Sequence, residues 1–242
     1  GGFCVLKAGA DVWCWGRNGW SQIYLGVTDP VITPTLVTDI DGEIVALSTG
    51  ANHTCARTNF PDAEIWCWGL NDSGQTGPVG GYPPHVIGDW DAPPSTLDLK
   101  KSLASGTMFT CAIVEDGQVA CRGSNLGDAL GGSPENFGEP VYPELALPAV
   151  GVFTGPRSMT VCAELSAGSF VCWGSNTGNG TNFSSPEPYQ VASGGVSSFA
   201  ASNSAYLVTD EGDVLSWGDN SYDQLGRTGF PRYTPTTCCR DW

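Results

Sequence analysis

A chain of 242 residues, with 33 glycines and 17 prolines spread along its length, suits many short strands joined by tight turns and argues against long helices. Its 25 acidic against 10 basic side chains give a formal charge of −15, which repels phosphate backbones and so sets nucleic acid aside as a partner; no apolar stretch is long enough for membrane insertion. Ten cysteines, most in regularly spaced pairs, imply an oxidising compartment and hence a secreted, extracellular protein.

The predicted elements recur along the chain. An Asn stands two residues after a Gly at Gly16 and Asn18, Gly69 and Asn71, Gly123 and Asn125, Gly174 and Asn176, and Gly218 and Asn220, with spacings of 53, 54, 51 and 44 between the glycines. Trp precedes that Gly as Trp15, Trp68, Trp173 and Trp217, and Arg122 replaces it in the third repeat. Upstream of each lies a hairpin. The first turns at Ala8, Gly9 and Ala10, the second in a longer loop around Asn59 to Asp62, and the third at Glu115, Asp116 and Gly117. The fourth turns at Ser166, Ala167 and Gly168 and the fifth at Asp210, Glu211 and Gly212, with Gly in the third, fourth and fifth where a left-handed residue is required.

Centring each hairpin on its loop sets Cys4 opposite Cys14, Cys111 opposite Cys121, and Cys162 opposite Cys172. Each pair lies three steps beyond the one that closes its loop. With a hydrogen-bonded closing pair, alternation makes the Cys pair the non-hydrogen-bonded, closer type, so the register predicts the disulfides. Cys55 and Cys67 are two residues further apart, and the longer loop absorbs the difference. The fifth hairpin has Tyr206 and Ser216 at the equivalent sites and lacks a bridge. Each bridge closes a loop of about ten residues and should add roughly 2 to 3 kcal/mol in the chain-entropy model, a contribution to stability rather than to chemistry.

The run Asn52, His53, Thr54, Cys55 followed by Trp66, Cys67, Trp68, Gly69, Leu70, Asn71, Asp72, Ser73, Gly74, Gln75, Thr76, Gly77 resembles the regulator-of-chromosome-condensation repeat. So do Trp217, Gly218, Asp219 and Asn220 with Gln224, Leu225 and Gly226. The resemblance implies an all-β propeller of four-stranded antiparallel blades, usually seven, of which this chain carries five. The repeats are expected at about 1–43, 44–98, 99–148, 149–194 and 195–242 of a single propeller domain spanning 1–242. Physics agrees, because a four-stranded sheet of this size cannot cover both faces alone and must stack on a neighbour. The Trp beside Gly then fills the space between blades.

Thr33, Pro34 and Thr35 recur as Thr234, Pro235 and Thr236, yet the segment equivalent to Ile44 through Gly50 has no counterpart before the first hairpin. The first blade is expected to be completed by another chain, or the sequence to be a fragment of something longer. Cys238 and Cys239 remain after the four local pairs, which leaves a vicinal bond or a bond to another chain or an unseen segment. Together with an unpaired strand edge, they imply a homo-oligomer or filament of neighbouring copies joined end to end.

Sequons at Asn52, Asn71, Asn179 and Asn182 suggest glycans, best placed at Asn179 and Asn182, whereas turn geometry would engage Asn52 and Asn71. Only His53 and His85 are available for metal or acid-base chemistry, and Gly42 makes Asp39, Asp41 and Glu43 read as a turn rather than a cation site. No catalytic motif appears, and no cofactor or metal is expected. These readings converge on a non-enzymatic extracellular structural protein, a glycosylated subunit of a surface layer or filament. The alternative is a binding module that recognises a protein or a carbohydrate through one propeller face. Propellers similar to this family also act as exchange factors for small GTPases, a nuclear role from which the disulfides point away.

Overall fold

A computed structural model describes all residues except 1, 9, 24–28, 79–83, 135–137, 228–231 and 239–242. Five antiparallel sheets follow one another along the chain as blades. Blade 1 has three strands, Gly2–Leu6, Val12–Gly16 and Val31–Leu36. Blade 2 adds an inner strand before the hairpin and runs Ile44–Thr49, His53–Thr58, Ile65–Gly69 and His85–Val86. Blade 3 comprises Leu103–Ser105, Phe109–Ile113 and Val119–Gly123, and its fourth position shrinks to a single bridge between Cys121 and Val141. Blades 4 and 5 have the full complement: Ala149–Phe153, Thr160–Leu165, Ser169–Gly174 and Ser185–Ser193, then Val196–Ala201, Ser204–Thr209, Val214–Gly218 and Thr236–Cys238.

Turn chemistry sets the hairpin register. Backbone bonds from Lys7 to Asp11, Val114 to Gln118 and Thr209 to Asp213 close three-residue loops. The last loop residue is left-handed in each, with φ of 71° at Ala10, 74° at Gly117 and 89° at Gly212, and 81° at the equivalent Gly168 of blade 4. The Cys partners then fall opposite one another in four blades, and all four pairs are disulfide-bonded, with Cα separations of 4.0 to 4.1 Å. In blade 3 the Cys121 amide donates outward to the Val141 carbonyl, so Cys111 and Cys121 form the non-hydrogen-bonded pair that the register predicts.

Strand alternation explains why cysteine and tryptophan adjoin. Cys67 and Trp68, like Cys172 and Trp173, point to opposite faces of their blade. The cystine side joins the core shared with the following blade: Cys55 and Cys67 pack with Leu103 and Ala112, and Cys162 and Cys172 with Ala205, Leu207 and Trp217. The tryptophan side faces backwards. Trp68 packs with Val12, Cys14, Ile23 and Val31 of blade 1, and Trp173 with Phe109, Ile113 and Val119 of blade 3. Trp15, at the outer face of blade 1, instead stacks on Phe3 and stays half-buried.

Polar groups also cross between blades. Arg57 is buried and donates from Nη1 to the carbonyls of Ser102 and Ile113 in blade 3, at 3.2 and 2.8 Å, and from Nε to Ala63 at 3.2 Å. Burial lowers its pKa to about 10, so the guanidinium stays charged at neutral pH and serves as a cationic strut. His53 of blade 2 meets the Thr110 hydroxyl of blade 3 at 3.0 Å. Among the described residues no helix is long and apolar enough to cross a membrane.

Candidate functional site: the face of the motif loops

The second strand of each hairpin ends in the Gly of the repeat and runs into the loop that carries the recurring Asn. The loops share one construction. The Asn side-chain oxygen accepts from the backbone amide five residues on: Ile23 to Asn18 at 3.0 Å, Thr76 to Asn71 at 2.8 Å, Leu130 to Asn125 at 3.0 Å and Leu225 to Asn220 at 2.9 Å. Its backbone carbonyl accepts from the residue three on, and that residue is left-handed, with φ of 54° at Ser21, 79° at Gly74, 55° at Asp128 and 57° at Asp223. Where Gln follows, its Oε1 accepts a further amide: Trp20 to Gln22, Ser73 to Gln75 and Tyr222 to Gln224, at 2.8 to 2.9 Å. The recurring Asn and Gln therefore shape the loops by replacing a sheet partner with side-chain bonds. They are frame rather than ligand.

The fourth loop departs from this pattern. Asn176 is itself left-handed at φ 52°, and its amide reaches the Asn203 carbonyl of blade 5 at 2.8 Å. Loops also lock to the tryptophans of the next blade, since the indole N–H of Trp173 donates to Ala129 and that of Trp217 to Asn176. In the third blade Arg122 takes the tryptophan position, fully buried, with its guanidinium 4.7 Å from the Trp90 ring and Nη2 2.5 Å from the Asp89 carboxylate.

The frame presents few but large side chains. Trp20, Leu126 and Tyr222 stand at the loop crests, 43 %, 60 % and 89 % exposed. Carboxylates Asp72, Asp128, Asp219 and Asp223 share the same loops. The Ser221 hydroxyl and amide, with help from the Gln224 amide, hold the Asp219 carboxyl below the usual carboxylate range. Among the described residues no group of three or more His, Cys, Asp and Glu side chains converges as a metal centre. His53 is sealed in the core with its pKa pushed down to about 4 by burial, and the His85 ring lies 2.7 Å from the Thr76 carbonyl, so neither is placed for acid-base work on a substrate.

The sequence-derived residues separate cleanly. The eight cysteines from Cys4 to Cys172 bond as expected. Cys238 is buried opposite Val214 with a free thiol, which is unsuited to a bond with another chain; Cys239 lies outside the described residues. Asn71 spends both ends of its amide on the loop, bonding Thr76 and the Gly77 carbonyl, while the Asn52 carbonyl accepts from Leu70. Asn179 accepts from both the amide and the hydroxyl of Thr181, and Asn182 is exposed. Gly42 does form a left-handed turn at φ 97°. Sequence reasoning passed over Arg57, whose only signal is a charge within a strand. It noticed Arg122 as an exception without foreseeing its partners Asp89 and Trp90.

A family model described as the Regulator of chromosome condensation (RCC1) repeat matches residues 10–57, and a second model of the same description matches residues 44–75. The solved structure of human WBSCR16 superposes with a TM-score of 0.80 at 18% identity, over 98% of this chain and 65% of that one. Yeast RCC1 does so at 0.71 and 21% identity, over 94% and 57%.

The chain is an RCC1-like β-propeller.

Among curated relatives, this RCC1-like chain is 29% identical to the secretion-regulating guanine nucleotide exchange factor of Mus musculus, over 91% of its own length and 51% of the relative. It is 27% identical to the mitochondrial RCC1 domain-containing protein RUG3 of Arabidopsis thaliana (93% and 53%), and 25% identical to the guanine nucleotide exchange factor SRM1 of Saccharomyces cerevisiae (92% and 45%). The chain thus spans about half the length of the curated relatives it matches.

These relatives correct four expectations. A non-enzymatic extracellular structural subunit is overturned by relatives named as guanine nucleotide exchange factors, and with it the absence of any catalytic role. The secreted address is overturned by the mitochondrial and exchange-factor relatives. A homo-oligomer or filament of neighbouring copies, with glycans as partners, gives way to RCC1 proteins such as the yeast one whose structure is described with its binding to Gsp1p and histones. The physical reason lies in the cystines. They sit inside interblade cores, where they staple hairpins, so they bear on stability and not on which partner the exposed surface meets.

Proposed function

We propose that this RCC1-like propeller is the scaffold of a guanine nucleotide exchange factor and binds a guanine-nucleotide-binding protein through its motif-loop face. Exchange requires no bond to be made or broken by the factor. It requires tighter binding to the nucleotide-free partner than to the loaded one, which a rigid, pre-shaped surface supplies. Loops tied by Asn and Gln bonds keep the surface from reordering on contact, and Trp20 and Tyr222 are residue types that dominate binding at interface centres. The observation that carries the reading is similarity to named exchange factors over more than nine-tenths of the chain.

The test is release of a fluorescent guanine diphosphate from a panel of small GTPases, with and without the full-length protein. Accelerated release from at least one GTPase is expected. Trp20→Ala combined with Tyr222→Ala should slow that release about tenfold, the loss expected of two interface anchors. Lack of both acceleration and binding across the panel would sink the proposal.

A further inference from the structure

A second surface lies at the other end of these hairpin strands, where the hairpins turn. There the blade 3 turn Glu115–Gly117 and the interblade connections around residues 94–98 and 142–148 enclose two open cavities of about 490 and 570 Å3. Both are lined by Asp116, Gly117 and Pro148, so they abut as one groove. Each half falls within the range of pre-formed ligand sites. The shared wall is tightly built: a Cβ on Gly117 would meet the Pro148 Cβ at 2.7 Å, and Gly117 is held at φ 74°.

Floor and rim differ in character. Leu97 and Leu145 line the floor and are anchored on the core between blades 3 and 4, and Leu147, 41% exposed, adds apolar surface to the lining. Asp98, Asp116, Glu144 and Glu164 supply four carboxylates to the lining. The one cation among the described lining residues is Lys101, and it stands 3.2 Å from Glu164, whose side chain is only 13% exposed. One ammonium against four carboxylates leaves the lining at a formal −3, and the three carboxylates besides Glu164 are on exposed residues of the rim.

We propose that this groove docks an extended, basic segment of a protein partner, with lysine or arginine side chains reaching Asp98, Asp116 and Glu144 and intervening apolar side chains resting on the leucine floor. An extended chain turns alternate side chains to opposite sides, so a segment alternating basic and apolar residues matches a groove whose rim is acidic and whose floor is apolar. Nucleic acid and anionic lipid are repelled by the same rim, and an acidic peptide has nothing to pair with once Lys101 is neutralised. The surface is separate from the motif-loop face, so the inference stands whether or not exchange activity is found.

The full chain is titrated against a fluorescein-labelled peptide of alternating lysine and leucine, with an alternating glutamate and leucine peptide as comparison, and binding is read by fluorescence anisotropy. The basic peptide is expected to bind and the acidic one not. The variant Asp98→Asn, Asp116→Asn, Glu144→Gln removes three rim charges while keeping a capping side chain at position 98 and a residue that tolerates the left-handed φ of 55° at position 116. It should weaken binding about eightfold or more, since each of the three lost charge pairs contributes about a factor of two to five. Leu147→Ser should weaken binding several-fold and keep doing so at high salt, where the charge pairs are screened. Exposed carboxylates elsewhere supply the control: Asp39→Asn, Asp41→Asn, Glu187→Gln removes the same charge from outside the groove and should leave affinity within twofold. Equal binding of the acidic peptide, unchanged affinity of the rim variant, or an equal loss in the control would each overturn the proposal.

Discussion

Acidification should loosen the contact between blades 2 and 3 through a single imidazole. His53 is 1% exposed, packs on Gly50 where a Cβ would come within 2.2 Å of the ring, and meets the Thr110 hydroxyl at 3.0 Å. Burial lowers its pKa from 6.5 to about 4, and the Phe109 backbone opposes this only in part, since Nδ1 has no partner of good geometry. A depressed histidine pKa means that the unfolded chain takes up its proton first. The stability it contributes is therefore complete above pH 6.5 and is lost as pH falls through the window from 6.5 to 4. Linkage puts the loss at about 1 kcal/mol by pH 5.5 and roughly 2 to 3 kcal/mol near pH 4.5. Urea unfolding followed by tryptophan fluorescence at pH 7.5, 5.5 and 4.5 measures it. His53→Gln keeps a polar partner for Thr110 but cannot titrate, so it should start less stable and lose less on acidification. Carboxylates titrate in both proteins, and the difference between them isolates the imidazole. Parallel losses in wild type and variant between pH 7.5 and 4.5 would refute the reasoning.

Two further substitutions probe the loops. Ala10 occupies the left-handed position that the other three-residue hairpins give to glycine, at φ 71°, so Ala10→Gly should stabilise the chain by about 1 kcal/mol and raise Tm by roughly 2 to 4 °C in calorimetry. Asn220→Ala removes the acceptor for the buried Leu225 amide and the donor to the Arg227 carbonyl, which should cost about 1 to 3 kcal/mol and speed hydrogen exchange at Leu225; Asn220→Asp, which restores only the acceptor, should recover part of both.

The hairpins were legible because their information is local. A loop of known length fixes which residues face each other, and counting from Gly117 or Gly168 was enough to pair Cys111 with Cys121 and Cys162 with Cys172. The recurring Asn was visible as a repeat but silent about its role, since its bonds to amides five residues on appear only once the chain has turned. Biological role was misread for a related reason. Cysteine count speaks to redox chemistry and stability, and the bridges lie buried between blades, so it carries no information about the partner of the exposed surface.

Hairpin register, turn position and sulfur pairing were thus determined by the amino-acid sequence alone, because each depends on residues within about a dozen positions of one another. What crosses between blades was decided only by tertiary structure. Arg57 reaches carbonyls 45 and 56 residues away, Arg122 finds Asp89 and Trp90 where other blades place tryptophan, and residues near 98, 116 and 147 become neighbours around one groove. Such contacts depend on how one sheet is rotated against the next, a quantity set by the summed packing of whole faces and written in no short stretch of the chain.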